Sequence, residues 1–342
     1  MTVKNFTIQC PAPKASTDRI VMAHGGGGRM SQRLFEEIFR PAFANAALDA
    51  RHDGALLALG GARLAFSTDS YVVRPLFFPG GNIGDLAVNG TANDLAMCGA
   101  RPKYLSCGFI LEEGLEIAKL QQVVETMRTA AEANGVELVT GDTKVVDRGK
   151  ADALFINTAG IGVIEHPVSP TRIEAGDAIV VSGDLGRHGV AILSVREGLE
   201  FDSPIESDCA ALWPQVERMF AEGIDVHCLR DLTRGGLSSA LNELAAAAGF
   251  GMQVEENAIP VDAAVRGACE VLGLDPLYVA NEGRFVAFVP ARDAEAAARL
   301  LPGGAVVGAV TGEAAGRVWI QSRMGARRLL DMLSGEQLPR IC

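Results

Sequence analysis

The sequence lacks the excess of positive charge that nucleic-acid-binding proteins need. Its 342 residues contain 31 Lys and Arg against 42 Asp and Glu, so the formal net charge is −11. Because phosphate contacts require clustered Lys and Arg side chains, this balance argues against a nucleic-acid partner. It does not exclude a nucleotide, whose phosphates can be held through a metal ion and carboxylates.

Long hydrophobic runs are also absent. No apolar stretch reaches the roughly 18 residues that a membrane-spanning helix needs, and the N-terminal residues contain no hydrophobic segment of a secretory signal. We therefore expect no membrane partner and a cytoplasmic protein. The 7 cysteines form no CxxC pair and no cluster with zinc-binding spacing, which predicts reduced thiols, several of them in the core.

What the sequence does have is an ordinary globular composition, with 48% hydrophobic and 21% charged residues. At about 150 residues per domain, the length predicts two domains. Strand and helix patterns alternate in both halves, which indicates an α/β or α+β fold. The segment 165–175 contains two prolines and is the best linker. Near the C-terminus, the pattern predicts a strand pair over 277–290 and a last helix over 323–333.

These patterns divide the chain into four parts. We predict a glycine-rich N-terminal segment with a helix, an N-terminal domain, a C-terminal domain and a tail without periodic pattern. In that order they cover residues 1–50, 51–168, 175–333 and 334–342.

A run of four glycines in HGGGGRM, residues 24–30, has the composition of a phosphate-binding loop. No GK[ST] follows it and no strong strand precedes it, so the P-loop pattern fails. Taken alone, the run favours a flexible linker over a phosphate cradle.

Four aspartates occur where strands and turns meet. They are Asp69 in STDS, Asp94 in ANDLA, Asp142 in TGDTK and Asp231 in RDLTRGG. Taken singly, each is better explained as a turn residue or a helix cap. Together, at loop mouths in both halves of the chain, they favour a magnesium site, because Mg²⁺ prefers hard oxygen ligands and bridges to nucleotide phosphates.

Three further residues carry usable chemistry. Glu282 lies in ANEGR between apolar segments, so burial should raise its pKa and make it a proton acceptor, unless it pairs with Arg284. Lys144 lies two residues after Asp142. Cys342 is a nucleophilic thiol at the end of a tail that can reach up to roughly 26 Å; the alternative is an untethered terminal residue.

The motifs STDSYVV, FPGGNIGDLAVNGTANDLAMCGARP, TGDTKVV, RDLTRGGL, ANEG and the final PRIC resemble the HypE hydrogenase maturation proteins. That family belongs to the aminoimidazole ribonucleotide synthetase-like (PurM-like) superfamily, and the resemblance covers essentially the whole chain. It implies two α/β domains, a homodimer paired through the N-terminal domains, and ATP with Mg²⁺ in the cleft between the domains.

The resemblance also implies a reaction. A carbamoyltransferase partner, HypF, loads a carbamoyl group onto the terminal cysteine, and ATP activates the carbamoyl oxygen. Loss of phosphate and of the amide proton leaves a protein thiocyanate. The cyano group then passes to iron on a HypC–HypD scaffold complex and becomes a cyanide ligand of [NiFe] hydrogenase.

By the same resemblance, Cys342 is the carrier, and Lys144 and Glu282 orient the thiocarbamate and take its proton. The resemblance implies that metal and ATP phosphates are bound by Asp69, Asp94, Asp142 and Asp231. It also implies ATP contacts at Gly141, Thr143, Gly26 and Gly27. The resemblance thus reverses the interpretation of the glycine run, which is expected to close over the phosphates.

Two other functions fit the same superfamily. The chain could be a small-molecule kinase or synthetase, in which case Cys342 is dispensable. It could also be a non-catalytic scaffold that binds a nucleotide and docks partners. Consumption of ATP separates the scaffold from both enzymes.

Overall fold

The computed structural model describes residues 19–26, 28–43, 45–199, 205–333, 338 and 340–342. Within them, the first half of the chain forms a five-stranded sheet and the second half a seven-stranded sheet, with a two-stranded sheet beside the first. Helices pack on both large sheets. The predicted α/β class is confirmed.

Among the described residues, the strands in chain order are β1 (Ala55–Leu59), β2 (Ala62–Tyr71), β3 (Phe77–Phe78), β4 (Gly81–Asn82), β5 (Ala100–Glu112), β6 (Glu137–Val146), β7 (Leu154–Ile164), β8 (Asp177–Val181), β9 (Cys228–Asp231), β10 (Gly251–Glu255), β11 (Phe285–Pro290), β12 (Ala305–Thr311), β13 (Val318–Gln321) and β14 (Arg327–Leu329). The α-helices are α1 (Arg29–Leu34), α2 (Arg40–Phe43), α3 (Ala46–Asp49), α4 (Ile83–Met97), α5 (Ile117–Asn134), α6 (Arg187–Glu197), α7 (Trp213–Ala221), α8 (Gly236–Ala248), α9 (Ala263–Leu272) and α10 (Ala294–Leu300). None of the helices in these ranges is long and apolar enough to cross a lipid bilayer.

The first sheet has the order β1-β2-β7-β5-β6, with α4 and α5 on one of its faces. Helix α4 begins with a capping box, in which Asn82 accepts from the Gly84 amide while Asp85 accepts from the Asn82 amide. All but one of its residues are buried, because the helix lies between this sheet and β9 and α7 of the second half. A helix buried all round shows no one-sided hydrophobic pattern, which explains its weak signal in the sequence.

The other face of the first sheet is open and apolar. Large side chains on four of its strands are at least 39% exposed, namely Leu57, Leu59, Phe66, Tyr104, Ile110, Ile161 and Val163. The edge strand β6 is exposed at every residue from Glu137 to Val145. A contiguous apolar surface of this kind is unusual on an isolated domain.

The second sheet has the order β14-β13-β10-β12-β8-β11-β9, and its interior strand β8 is buried along its whole length. Two sequence predictions are wrong here. Only β11 forms in the segment 277–290, since the preceding residues make a short 3₁₀ turn and a loop. The predicted helix over 323–333 is instead β14, because Gly325 has a φ of +82° and turns the chain back to pair with β13.

Candidate active site in the cleft between the two sheets

A cluster of carboxylates forms where β1, α4 and β9 approach one another. Asp53, Asp94 and Asp231 each place an oxygen atom within 4.8 Å of the others. The structure thus brings together two of the predicted aspartates, Asp94 and Asp231. The third member, Asp53, was missed by the sequence analysis; the only signal was its position before glycine at the start of a strand.

Burial and mutual repulsion dominate the electrostatics of this cluster. Desolvation, followed by the charges of neighbouring carboxylates, raises the pKa of Asp94 well above its ordinary value. Burial likewise raises the pKa of Asp53 well above its usual range and that of Asp231 to about 6. Arg230 contacts Asp53 Oδ1 at 2.7 Å, but the buried Asp53 Oδ2 has no hydrogen-bond partner among the described residues. The site therefore holds more negative charge than its own cations balance.

Asp69 lies on β2 beside this cluster. Burial raises its pKa, and the Tyr71 hydroxyl donates to Asp69 Oδ2 at 3.4 Å. The charge of Asp69 contributes to the raised pKa values of Asp94 and Asp231. Asp69 is thus an electrostatic neighbour of the cluster, although its carboxylate is outside the close group of three.

Glu282 is buried in the same cleft, with 3% of its surface exposed. Burial, then the charges of Asp231 and Asp208, raises its pKa well above the ordinary value, and its Oε1 has no hydrogen-bond partner within the part of the chain that the structure describes. The alternative pairing with Arg284 does not occur, because that guanidinium contacts Asp184 Oδ1 at 2.7 Å. Glu282 is therefore a desolvated carboxyl group with a free oxygen, as a proton acceptor requires.

The backbone around Glu282 is fixed by Asp208. The Gly283 amide donates to Asp208 Oδ2 at 3.1 Å, and the Glu282 carbonyl accepts from Asn93 at 3.3 Å. A Cβ atom at Gly283 would lie 1.8 Å from the Asp208 carbonyl oxygen, so only glycine permits this close approach. The ANEG motif thus holds the glutamate in place.

Arg234 is a further cleft residue that the sequence analysis did not nominate, although it lies in the quoted RDLTRGG motif. Its Nη1 donates to the Gly25 carbonyl at 3.0 Å. The charge of Cys342 is the largest cause of its raised pKa, and Asp69 and Glu282 contribute. Arg234 therefore lies among the predicted carrier, the predicted base and the glycine-rich segment.

The chain terminus reaches this cleft. The Val72 amide donates to the Cys342 carbonyl oxygen at 3.0 Å. Cys342, Arg234 and Ser70 line a cavity of about 630 Å³. Gly26 lines a smaller space with Arg234 and Ile341, so the glycine-rich segment lies beside the tail; Gly27 lies outside the described residues.

Asp142 and Lys144 do not lie beside the carboxylate cluster of their own chain. They lie on β6, where Lys144 Nζ contacts Asp142 Oδ2 at 2.6 Å, and both side chains are more than two-thirds exposed. The hydrogen bond from Lys144 lowers the pKa of Asp142. Gly141 and Thr143 flank them on the same strand. In strand order β6 is three strands from β2, or about 14 Å at the usual strand spacing.

The register also turns Asp142 away from the cluster. Asp142 is aligned with Ser70, through Gly108 and Asn157 of the intervening strands, whereas Asp69 is aligned with Thr158. Thr158 is buried against α4, so Asp142 and Asp69 project from opposite faces of the sheet. Within one chain, the structure therefore does not bring Asp142 or Lys144 to Glu282.

A second cavity, of about 560 Å³, adjoins the carboxylate cluster. Its lining includes the polar Asp53, Ser67 and Arg230 and the apolar Phe35, Leu48, Phe66 and Ala246. The cavity therefore offers both the polar and the apolar contacts that a nucleotide requires.

Comparison with known proteins gives a consistent result. The N-terminal domain of AIR synthase related proteins matches residues 51–164, and the C-terminal domain of the same proteins matches residues 174–321. Carbamoyl dehydratase HypE from Rhodobacter capsulatus is 52% identical over 335 residues, covering 95% of this chain and 98% of the relative.

Two solved structures resemble the whole fold. The crystal structure of the hydrogenase maturation protein HypE in complex with ATP has a TM-score of 0.80 at 49% identity, covering 95% of this chain and 100% of that one. The crystal structure of a HypE–HypF complex has a TM-score of 0.83 at 41% identity, covering 88% of this chain and 99% of that one.

Proposed function

The chain belongs to the HypE family of carbamoyl dehydratases, enzymes of hydrogenase maturation, and from this premise we propose that Cys342 carries the carbamoyl group and is converted to a thiocyanate. The observation that carries the proposal is that Cys342 and Arg234 line one cavity, and the charges of Cys342 and Glu282 both raise the pKa of Arg234. The carrier and the base thus share one electrostatic neighbourhood.

ATP is the proposed source of activation, as a related HypE has been crystallised with it. The 560 Å³ cavity suits the nucleotide, because its apolar side chains can cover a purine while Asp53, a member of the carboxylate cluster, also lines it. The glycine-rich segment at Gly25 and Gly26, held by Arg234, is positioned to cover the phosphates.

The carboxylate cluster fits Mg²⁺. Three hard oxygen donors lie within 4.8 Å, and one buried oxygen of Asp53 is without a partner. Asp53, Asp94 and Asp231 would hold the ion, with Asp69 beside them. Bound Mg²⁺ supplies charge neutralisation for the phosphates during phosphoryl transfer.

The chain's own residues would then carry out the dehydration. Transfer of the γ-phosphoryl group to the carbamoyl oxygen turns that oxygen into a leaving group. Glu282 accepts a proton from the nitrogen, and departure of phosphate with loss of the second nitrogen proton leaves the S–C≡N group. The raised pKa of Glu282 makes it a stronger base than an exposed carboxylate. Arg234 stabilises the negative charge that develops beside Cys342.

Asp142, Lys144, Gly141 and Thr143 fit this scheme only if a second chain supplies them. We propose a homodimer paired through the open apolar face of the first sheet, with β6 of one copy delivering Lys144 and Asp142 to the cleft of the other. The exposure of β6 and of neighbouring apolar side chains such as Ile110 supports this pairing. Light scattering should give twice the 35.9 kDa chain mass, and a monomer at micromolar concentration would refute it.

The proposed partners follow from the chemistry. A related HypE has been crystallised with HypF, and we propose that HypF loads Cys342 of this chain. A HypC–HypD iron scaffold complex is the proposed acceptor of the cyano group.

Intact-protein mass spectrometry tests the carrier assignment. With HypF, carbamoyl phosphate and ATP, the chain should gain the mass of a carbamoyl group and then lose one water. Cys342→Ala should show neither change, whereas Cys209→Ala, which removes another partly exposed thiol, should show both. A Cys342→Ala chain that still gained the carbamoyl mass and lost water would disprove the proposal.

A further inference from the structure

The last three residues of the chain are held by contacts that the proposed chemistry does not use. Each of their carbonyl oxygens accepts a hydrogen bond from a different part of the protein. The pairs are Arg196 Nη2 to Arg340 O at 2.8 Å, His188 Nε2 to Ile341 O at 2.8 Å and Val72 N to Cys342 O at 3.0 Å. The Ile341 side chain is buried. The segment therefore has a defined seat in the cleft.

Arg340 makes the most contacts in this segment. Its guanidinium forms an ion pair with Asp152, in the loop between β6 and β7, and donates to the Val72 carbonyl at 3.0 Å and 3.2 Å. Its backbone φ is +56°, a left-handed conformation that is unfavourable for a residue with a side chain. Such strain persists where surrounding contacts impose it, so the seated conformation depends on these side-chain contacts.

His188 is a second anchor, at the start of α6. The ring is buried, and desolvation lowers its pKa, so it is neutral. Because a neutral imidazole donates from only one nitrogen, the bond to the Ile341 carbonyl assigns the proton to Nε2. Nδ1 then accepts from the Ser207 hydroxyl at 2.8 Å. The neighbouring serine thus holds the histidine in the tautomer that the tail requires.

We propose that Asp152, His188 and Arg196 are positioning residues that form a tail latch on Arg340 and Ile341, which seats Cys342 for dehydration and opens for loading. The inference deepens the proposed function, since it assumes that Cys342 is the carrier. The latch contacts described above are made to Arg340 and to the main chain of Ile341, and not to the Cys342 thiol. Breaking the latch should therefore slow dehydration, which requires the seated tail, without impairing loading by HypF, which requires the open tail.

Asp152→Asn is the informative variant, because it removes the ion pair with Arg340, and a longer one of 3.7 Å with Arg74, without altering the tail sequence that HypF must recognise. Asp147→Asn is the matched control: Asp147 is exposed in the same loop, and its side chain makes no hydrogen bond or ion pair with the described residues. The first measurement is the rate at which a carboxypeptidase removes Cys342 from the otherwise unmodified dimer, read by intact mass. We expect about a three- to tenfold faster release in Asp152→Asn, since only the unseated tail can enter the protease.

The second measurement separates the two steps of the reaction. In a single turnover, carbamoylated Asp152→Asn should dehydrate several-fold more slowly with ATP than the wild type, while loading by HypF should be as fast or faster. Asp147→Asn should match the wild type in all three rates. Unchanged carboxypeptidase release in Asp152→Asn would overturn the latch, and faster release with unchanged dehydration would overturn its positioning role. Failure of the carrier assignment itself would appear separately, as wild-type protein that is not loaded at Cys342.

Discussion

Asp231 and Asp142 have similar sequence settings, since each follows an apolar stretch and lies close to a basic residue, yet the fold gives them opposite properties. Asp231 is buried beside Asp53 and Asp94, and its pKa is raised to about 6. Asp142 is exposed on β6, and its hydrogen bond with Lys144 lowers its pKa. The buried carboxylate lacks sufficient counter-charge and suits a cation, whereas the exposed pair is already neutralised and is available to another chain.

The largest expected effect concerns the buried carboxyl groups of the cleft. Glu282→Gln retains the shape of the side chain but cannot accept a proton, so ATP-dependent dehydration should fall by about 10²-fold or more. Loading of Cys342 takes place outside the cleft and should be unaffected, so a carbamoylated chain should accumulate in the mass spectrum. Equal dehydration rates for the variant and the wild type would exclude Glu282 as the base.

Subunit mixing tests whether the exposed Lys144 on β6 acts in the cleft of a second chain. Lys144→Ala alone should reduce dehydration strongly. When the Lys144→Ala and Glu282→Gln proteins are unfolded and refolded together, each mixed dimer should contain one intact site, formed by Glu282 of one chain and Lys144 of the other. With random pairing, activity should recover to about a quarter of the wild-type value. The dehydration rate of the mixture measures this directly. A mixture as inactive as its two components would mean that Lys144 and Glu282 act within one chain, which would contradict the proposed supply of Lys144 by a second chain.

A smaller effect is expected for the metal site. Asp53→Asn keeps an oxygen that can accept from Arg230 but removes one of the three clustered charges. Affinity for ATP in the presence of Mg²⁺ should fall by about tenfold or more, as measured by calorimetry, while Asp147→Asn should bind normally. Affinity that is unchanged in Asp53→Asn, with Mg²⁺ still required, would move the ion away from the cluster.

The smallest effect is on stability without metal or nucleotide. Because the pKa of Asp231 is raised to about 6 in the folded protein, its contribution to the free energy of unfolding is fully present below the ordinary pKa near 4. It is lost as pH rises through about 6. The metal-free protein should therefore be more stable at pH 5.5 than at pH 7.5, by about 0.8 kcal/mol from this one group. Thermal unfolding measures this difference.

The pH effect should shrink in Asp231→Asn and in saturating Mg²⁺, both of which remove the uncompensated charge. Asp142→Asn should leave it unchanged, because Asp142 is exposed and its pKa is shifted downward. The same pH dependence in Asp231→Asn as in the wild type would assign the titration to another group.

Much of the fold could be read from local patterns. Helix α5, strands β2, β5, β6 and β7, and the helix–strand alternation of the second half follow from periodicity and turn residues within each segment. The predictions failed where contacts between segments far apart in the sequence determine the local structure. Residues 323–333 form β14 because a glycine turn brings them back to β13, and α4 lost its amphipathic pattern because two sheets cover it.

For the site, the sequence by itself supplied the candidate groups: Asp94, Asp231, Glu282 and Cys342 were predicted from short motifs, each read within its own segment of the chain. Only the tertiary structure decided how they are grouped. It brought Asp53 into the cluster, paired Arg284 with Asp184 and set Asp142 on the opposite face of the sheet from Asp69. The reason is physical: a side chain's chemistry belongs to the residue, but its charge state and its partners depend on strand register and burial, which arise between segments far apart in the chain.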